Sequence, residues 1–203
     1  RTYSKIKPES ELTYEGWMDS IRSGNTFVTF GPLMEFSVNG YEAGKRINLN
    51  HTGGSATVTW AVETVKYMIS GVELVINGEV VDGKGVTNNK AQGYFNVSIN
   101  RSSWLCLLVR GKFSPDGEEA ILAHSSAVMV KVAGSEFFSK ADAVSILDQI
   151  EGSMAYINHV GTRADARRYK EMQLVLEKAH QTLHDRLHKF GHDHSHDFGH
   201  KHH

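Results

Sequence analysis

Histidine carries most of the ligating power in this sequence, and it is concentrated at one end. His180, His184, His188 and His192 recur every four residues. His194, His196, His200, His202 and His203 follow, with Asp193 and Asp197 interleaved. On a helix a spacing of four sets successive imidazoles in a slowly drifting row on one face. Two such rings can share one transition-metal ion, and histidine-rich tracts bind zinc, nickel or copper for that reason. The expectation is weak transition-metal binding through His180, His184, His188, His192, His194 and His196. The alternative is a solvated tail.

The rest of the chain lacks the parts of an enzyme. Before the helical end the histidines are His51 and His124, with no His-x-His pair and no His-Glu-x-x-His. A hydrolytic metal centre needs clustered His, Asp and Glu, so none is expected there. No Gly-x-Ser-x-Gly elbow and no phosphate-cradling glycine loop after a strand is present. Cys106 is the sole cysteine, which excludes an internal disulfide and a cysteine-based zinc site. Within Trp104-Leu105-Cys106-Leu107-Leu108-Val109 it reads as a buried small hydrophobe, not a nucleophile. Arg110 follows that run, and His124 opens the last strand. Each is either a strand-end polar residue satisfied locally or part of a surface facing a neighbouring domain. No catalytic residue is assigned.

Composition narrows the partners. Lys and Arg total 22 against 23 Asp and Glu, so there is no electrostatic case for nucleic acid or an anionic membrane. No apolar run approaches the roughly 20 residues of a membrane span. Hydrophobic residues make up 40% of the 203, enough for a sizeable core.

Those candidate residues sit on a recognisable series of elements. Thr13 is the expected cap of a first helix with Tyr14, Trp17, Met18 and Ile21 as its apolar stripe and Gly24 as its stop. Thr26-Phe27-Val28-Thr29-Phe30 reads as a strand ended by Gly31-Pro32. From Leu33 to Val132 the pattern is all β. Val58/Trp60/Val62, Val72/Leu74/Ile76, Phe95/Val97/Ile99 and Val128/Val130/Val132 alternate with polar or small residues, the mark of strands with one buried face. Asn39-Gly40 and Asn77-Gly78 are two-residue hairpin signals. Trp104 to Val109 is apolar on both faces, so both must be covered, one by the sandwich core and the other by a helix or another domain.

The end is helical. Ser139 with Asp142, and Thr162 with Asp165, resemble capping boxes. The first opens a stripe of Val144, Leu147, Ile150, Met154 and Ile157. The second opens one of Tyr169, Met172, Leu176, Ala179, Leu183, Leu187 and Phe190. The expected fold is mainly β with flanking helices: an antiparallel, Ig-like β-sandwich plus a C-terminal helical hairpin.

One stretch carries a family resemblance. Gly16-Trp17-Met18-Asp19-Ser20-Ile21-Arg22-Ser23-Gly24-Asn25-Thr26-Phe27-Val28-Thr29-Phe30-Gly31-Pro32-Leu33, then Val38-Asn39-Gly40 and Gly44, resembles the C-terminal part of CehA/McbA-type metallohydrolases. These are relatives of the polymerase-and-histidinol-phosphatase (PHP) superfamily. Leu74-Val75-Ile76-Asn77-Gly78, Ser103-Trp104 leading to Arg110, and Ala123-His124-Ser125-Ser126-Ala127-Val128 match in the same order. Asn25, Phe30 and Ala127 stand where the family usually has arginine, asparagine and proline.

The resemblance covers roughly residues 1–160, and the histidine-rich tail is outside it. It implies that zinc or manganese is held by an N-terminal barrel-like domain of the same polypeptide, upstream of Arg1. That PHP-like domain is then the missing partner, and the setting a secreted or periplasmic bacterial one. Residues 1–32 are expected to be the end of that truncated domain, 33–135 the sandwich, 136–190 the helices and 191–203 a histidine-rich disordered tail. Arg1, Tyr3, Arg110 and His124 become the candidates for facing the missing domain. The uncovered sides of Trp104–Val109 and of the first helix are expected to leave an apolar patch. A rival reading is a free-standing sandwich that binds glycan or protein.

Overall fold

Alternation of apolar and polar residues becomes a two-sheet sandwich in the computed structural model, which describes residues 1–6, 12–161 and 165–190. The elements are β1 (Thr2–Ser4), α1 (Tyr14–Arg22), β2 (Thr26–Thr29), β3 (Leu33–Val38), β4 (Tyr41–Glu42), β5 (Arg46–Leu49), β6 (Gly54–Glu63), β7 (Met68–Ile76), β8 (Glu79–Gly85), β9 (Lys90–Ile99), β10 (Ser103–Lys112), β11 (Ala120–Ser125), β12 (Val128–Val132), α2 (Lys140–His159) and α3 (Ala166–Lys189). They form two compact units, residues 1–137 and the part from Phe138 onward. No described helix is long and apolar enough to cross a membrane.

In the first unit the smaller sheet runs β4-β3-β6-β9. The larger is built on β10. One edge of β10 pairs with β7 from Leu105 to Lys112. The other edge is shared: Ser103–Leu105 pair with β12, and Leu108–Gly111 with β11. Beyond these lie β8 on β7, β2 and then β1 on β11, and β5 on β12. The pairing is antiparallel except for β12 with β5, which is parallel. No hairpin joins those two strands, so turn geometry does not fix their direction. The two predicted Asn-Gly turns have positive φ at both residues: 48° and 80° at Asn39 and Gly40, 53° and 90° at Asn77 and Gly78.

The core is the meeting of the inner faces. Val58, Trp60, Val62, Phe95 and Ile99 from the small sheet pack with Val72, Leu74, Leu105, Leu107, Val109, Val128, Val130 and Val132 from the large one. At about 25 cal/mol per Å² of apolar surface removed from water, such burial is the main force that closes the sandwich.

One expectation changes, and the place of residues 1–32 gains a detail: β2 pairs with β11, within the unit of residues 1–137. The reason is that β2 has free backbone donors and acceptors that the edge of β11 satisfies. The second face of β10 is not an open patch. Val75, Cys106 and Leu108 form a second buried cluster with Trp104 against it, and Cys106 is only 1% exposed. A strand paired along both edges needs apolar residues on both faces when both are buried.

Helix α1 behaves as its signals predict. The Thr13 hydroxyl accepts from the Gly16 N–H at 3.1 Å, and Gly24 takes φ +73° just past the end. Its apolar residues Tyr14, Trp17 and Ile21 remain exposed, as expected for that stripe.

The second unit is the helical hairpin. The Ser139 hydroxyl caps α2 by accepting from the Asp142 N–H at 3.4 Å. Asp165 caps α3, accepting from Arg167 and Arg168, while Thr162 lies outside the described residues. The α2 stripe of Val144, Leu147, Ile150, Met154 and Ile157 is half-buried as predicted. On α3 the predicted Met172 is exposed, and Gln173 takes the inward place. Its amide donates to Asn158 Oδ1 at 2.8 Å and to the Tyr169 hydroxyl at 3.0 Å, bonds that a thioether cannot make. At the other end Phe138 and Phe190 stack 4.4 Å apart, with Arg186 over Phe138.

Candidate functional site

Strand pairing sorts the candidate residues into two groups. Thr2 is opposite Val28, Val28 opposite His124, and His124 opposite Leu108. Side chains of directly paired residues lie on the same face, so these four form a row across the large sheet. Tyr3 pairs with Phe27 instead, which puts both on the other face. The structure therefore separates Tyr3 from His124.

His124 is exposed, and its Nε2 lies 3.8 Å from Cys106 Sγ. That pair is not a nucleophile and its base. Burial pushes the Cys106 thiol up to about 11, so it is protonated at neutral pH. Arg110 is flanked by register shifts in its pairing with β11 and with β7. Such bulges re-aim side chains. Its Nε donates to Glu73 Oε2 at 2.9 Å, both side chains being about 70% buried. The guanidinium thus has one local carboxylate partner. At Arg1 the backbone nitrogen donates to the Thr29 carbonyl at 2.9 Å, and the Thr29 N–H donates back to the Arg1 carbonyl.

An open groove of about 1240 Å³ is lined by Tyr3 and Phe27 of that other face together with Trp60 and Tyr94 of the small sheet, among others. Tyr3 and Phe27 stack 5.4 Å apart. At its rim Lys5 pairs with Glu42, and the Asn25 amide donates to the same carboxylate at 2.9 Å. The hydrogen bond from Lys5 holds the Glu42 carboxyl below its ordinary range, and the reciprocal bond raises Lys5. Asn25 thus has a defined polar partner.

Sequence reasoning missed an aromatic cluster at the end of β2. Phe30 meets Phe113 edge-on at 5.2 Å, and Phe113 meets Tyr67 edge-on at 5.3 Å. Phe30 is 65% exposed. A side chain on Gly31 would run into the Tyr67 ring at 2.6 Å, so the Gly31-Pro32 signal marked this contact without revealing its partner.

On the hairpin, His180 and His184 have ring centroids 5.8 Å apart, and His184 and His188 4.5 Å. His180 Nε2 is 2.8 Å from Glu151 Oε1 of α2. His192, His194 and His196 lie outside the described residues. Among the described residues no group of three or more His, Cys, Asp or Glu is arranged to hold a metal ion.

No known protein family matches the sequence. No curated protein matches it either. The solved structures similar at a distance include two that follow. The sulfur carrier protein SoxY from Chlorobium limicola f thiosulfatophilum is 13% identical with a TM-score of 0.32, covering 51% of this chain and 76% of that one. The CARDB domain of a Pyrococcus furiosus protein is 12% identical with a TM-score of 0.33, covering 50% and 96%. Likeness this remote carries no inference about what the chain does.

Proposed function

We propose that this chain is the accessory β-sandwich region of a PHP-type metal-dependent hydrolase, bracing an active site that it does not itself contain. The observation that carries the reading is where the resembling segment lies. Residues 26–33 form β2 and its exit toward β3, and Val28, Phe30 and Leu33 there are 52%, 65% and 53% exposed. A strand near a sheet edge with apolar side chains open to water is a surface suited to a neighbouring domain. By resemblance that neighbour is the metal-binding domain of the same polypeptide. Its substrate would be a phosphoester, ester or carbamate attacked by metal-activated water. The described residues do not fit that catalytic metal, since no ligand set is arranged for it. On this reading the metal's ligands belong to the neighbouring domain.

The purified chain, supplied with zinc or manganese, is expected to show no turnover of p-nitrophenyl phosphate, p-nitrophenyl acetate or a naphthyl carbamate above the metal blank. Turnover that persists when residues 180–203 carry no histidine would overturn the reading. So would a reading frame upstream of Arg1 without a His-x-His pair and further His/Asp clusters.

A second reading rests on the outer face of the small sheet. There Tyr94 is 60% exposed beside a Ser37–Thr59 hydroxyl pair at 2.6 Å and a Thr57–Asn96 bond at 3.0 Å. An exposed ring among short hydroxyl and amide groups suits a sugar, which offers an apolar face and a rim of hydroxyls. Retention on an insoluble polysaccharide, lost on Tyr94→Ala, supports a glycan-binding module. No retention on cellulose, chitin or xylan rejects it for those glycans.

A further inference from the structure

We infer that the helical hairpin joins two copies of this chain. One face of it, built by Ile146, Tyr156 and Val160 from α2 with Met172, Val175 and Ala179 from α3, packs on the same face of a second copy to form a four-helix bundle. This goes beyond the proposed accessory role and does not depend on it.

Each helix carries two rows at heptad spacing. The first rows face one another: Leu147, Ile150, Met154 and Ile157 on α2, and Gln173, Leu176, His180, Leu183 and Leu187 on α3, all buried or half-buried. A second row lies one residue before each of these. On α2 it is Ile146, Gln149, Ser153, Tyr156 and the capping Val160; on α3 it is Met172, Val175, Ala179, Thr182 and Arg186. One residue is a rotation of about 100° about the helix axis. In an antiparallel pair whose first rows meet, equal rotations bring both second rows to the same side of the hairpin.

That side is open to water. Tyr156, Val160 and Val175 are 61%, 68% and 67% exposed, and Ile146 and Met172 are exposed too. Among the described residues of this unit, the exposed large hydrophobics lying elsewhere are Leu174 and Phe190, so the exposure is gathered on one face. A helix with two adjacent apolar rows suits a bundle, where it touches two neighbours, and a hairpin supplies one. Around the small Ala179 a shallow depression of about 360 Å³, bounded by Val175, Thr182, Leu183 and Arg186 among others, offers a hole for a knob.

Charge and level select a second copy as the occupant. Extended to the helix ends, the second row of α2 has Asp142 as its charged residue, and that of α3 has Arg168, Arg186 and Lys189. Two hydrogen bonds set the level of the helices: His180 with Glu151, and Gln173 with Asn158, each at 2.8 Å. Counting along from these, Val160 is level with Met172, Tyr156 with Val175, Ser153 with Ala179, and Asp142 with Lys189. A two-fold axis parallel to the helices preserves level and lays α2 on the partner's α3, antiparallel. Apolar residues then meet near the turn, small ones at the middle, and opposite charges at the far end. A two-fold axis across the helices would instead lay α3 on α3 and set its basic residues together, at a cost.

Sedimentation equilibrium of the full chain tests this, with a chelator present so that the histidine-rich end cannot bridge chains through a metal. The expected mass at micromolar concentration is twice the 22.6 kDa of one chain. Val175→Glu puts a charge into the apolar contact twice per dimer, and is expected to raise the dissociation constant roughly a hundredfold. Leu174→Glu makes the same chemical change at an exposed position off the face, and is expected to shift it by less than about threefold. Circular dichroism is expected to show both variants as helical as the unaltered chain.

A chain that stays at 22.6 kDa throughout the micromolar range overturns the inference. So does a dimer that Val175→Glu leaves intact, since the contact then lies elsewhere. Equal weakening by Leu174→Glu also overturns it, because the loss then follows from added charge and not from this face.

Discussion

Gly44→Ala is expected to destabilise the sandwich unit by at least about 2 kcal/mol more than Gly40→Ala, two substitutions at nearly identical φ. Gly40 and Gly44 have φ of +80° and +81°. The left-handed region costs an L-residue roughly 1–2 kcal/mol, so both changes carry that cost. Space separates them. A methyl group at Gly40 meets nothing within 4 Å. At Gly44 it would lie 2.0 Å from the Ser23 carbonyl oxygen and 2.6 Å from the Gly24 carbonyl carbon. Both are backbone atoms at the end of α1 and cannot swing aside.

The same glycine anchors the site side of the unit. The Gly44 N–H donates to the Ala127 carbonyl at 2.8 Å, which ties the turn after β4 to the gap between β11 and β12. Glu42, two residues earlier, is the acceptor for Lys5 and Asn25. Urea denaturation of the two variants measures the difference. Equal midpoints would mean that α1 moves away freely and is not packed against this turn.

The other large effect belongs to the core. Phe95→Ala is expected to cost about 3–5 kcal/mol. Phe95 is 1% exposed, and its ring is 6.0 Å from that of Trp60. Removing it opens a cavity between the sheets where every neighbour is held by strand pairing. Its immediate neighbour Tyr94 is 60% exposed, and Tyr94→Ala is expected to stay within about 0.5 kcal/mol. Denaturant midpoints for the pair read the alternation of β9 directly. Similar losses at both positions would show that both rings are buried in solution, by self-association or by a bound partner.

That alternation shows how far the sequence alone reaches. Period-two patterning placed Phe95 inward, and the Asn-Gly pairs at Asn39 and Asn77 fixed two hairpin turns. Thr13 and Ser139 marked helix starts. Each rests on interactions among residues a few positions apart, where backbone sterics and pleat geometry leave few options. The run Trp104–Val109 even announced a strand buried on both faces.

Tertiary structure decided what depends on pairing between distant segments. That β10 is central, with β11 and β12 sharing one edge, follows from its register with β7 and β12, strands that no hairpin joins to it. Register is set by the summed burial of whole faces, which no single residue announces. For the same reason the sequence did not show Phe30 meeting Phe113 and Tyr67, or Asn25 and Lys5 converging on Glu42. It did not show Arg110 paired with Glu73. The histidine row was legible from its spacing of four, but the carboxylate facing it was not. Glu151 reaches His180 only because an antiparallel turn brings residues 29 positions apart to one level of the hairpin, and that register is set by the packing of two apolar stripes.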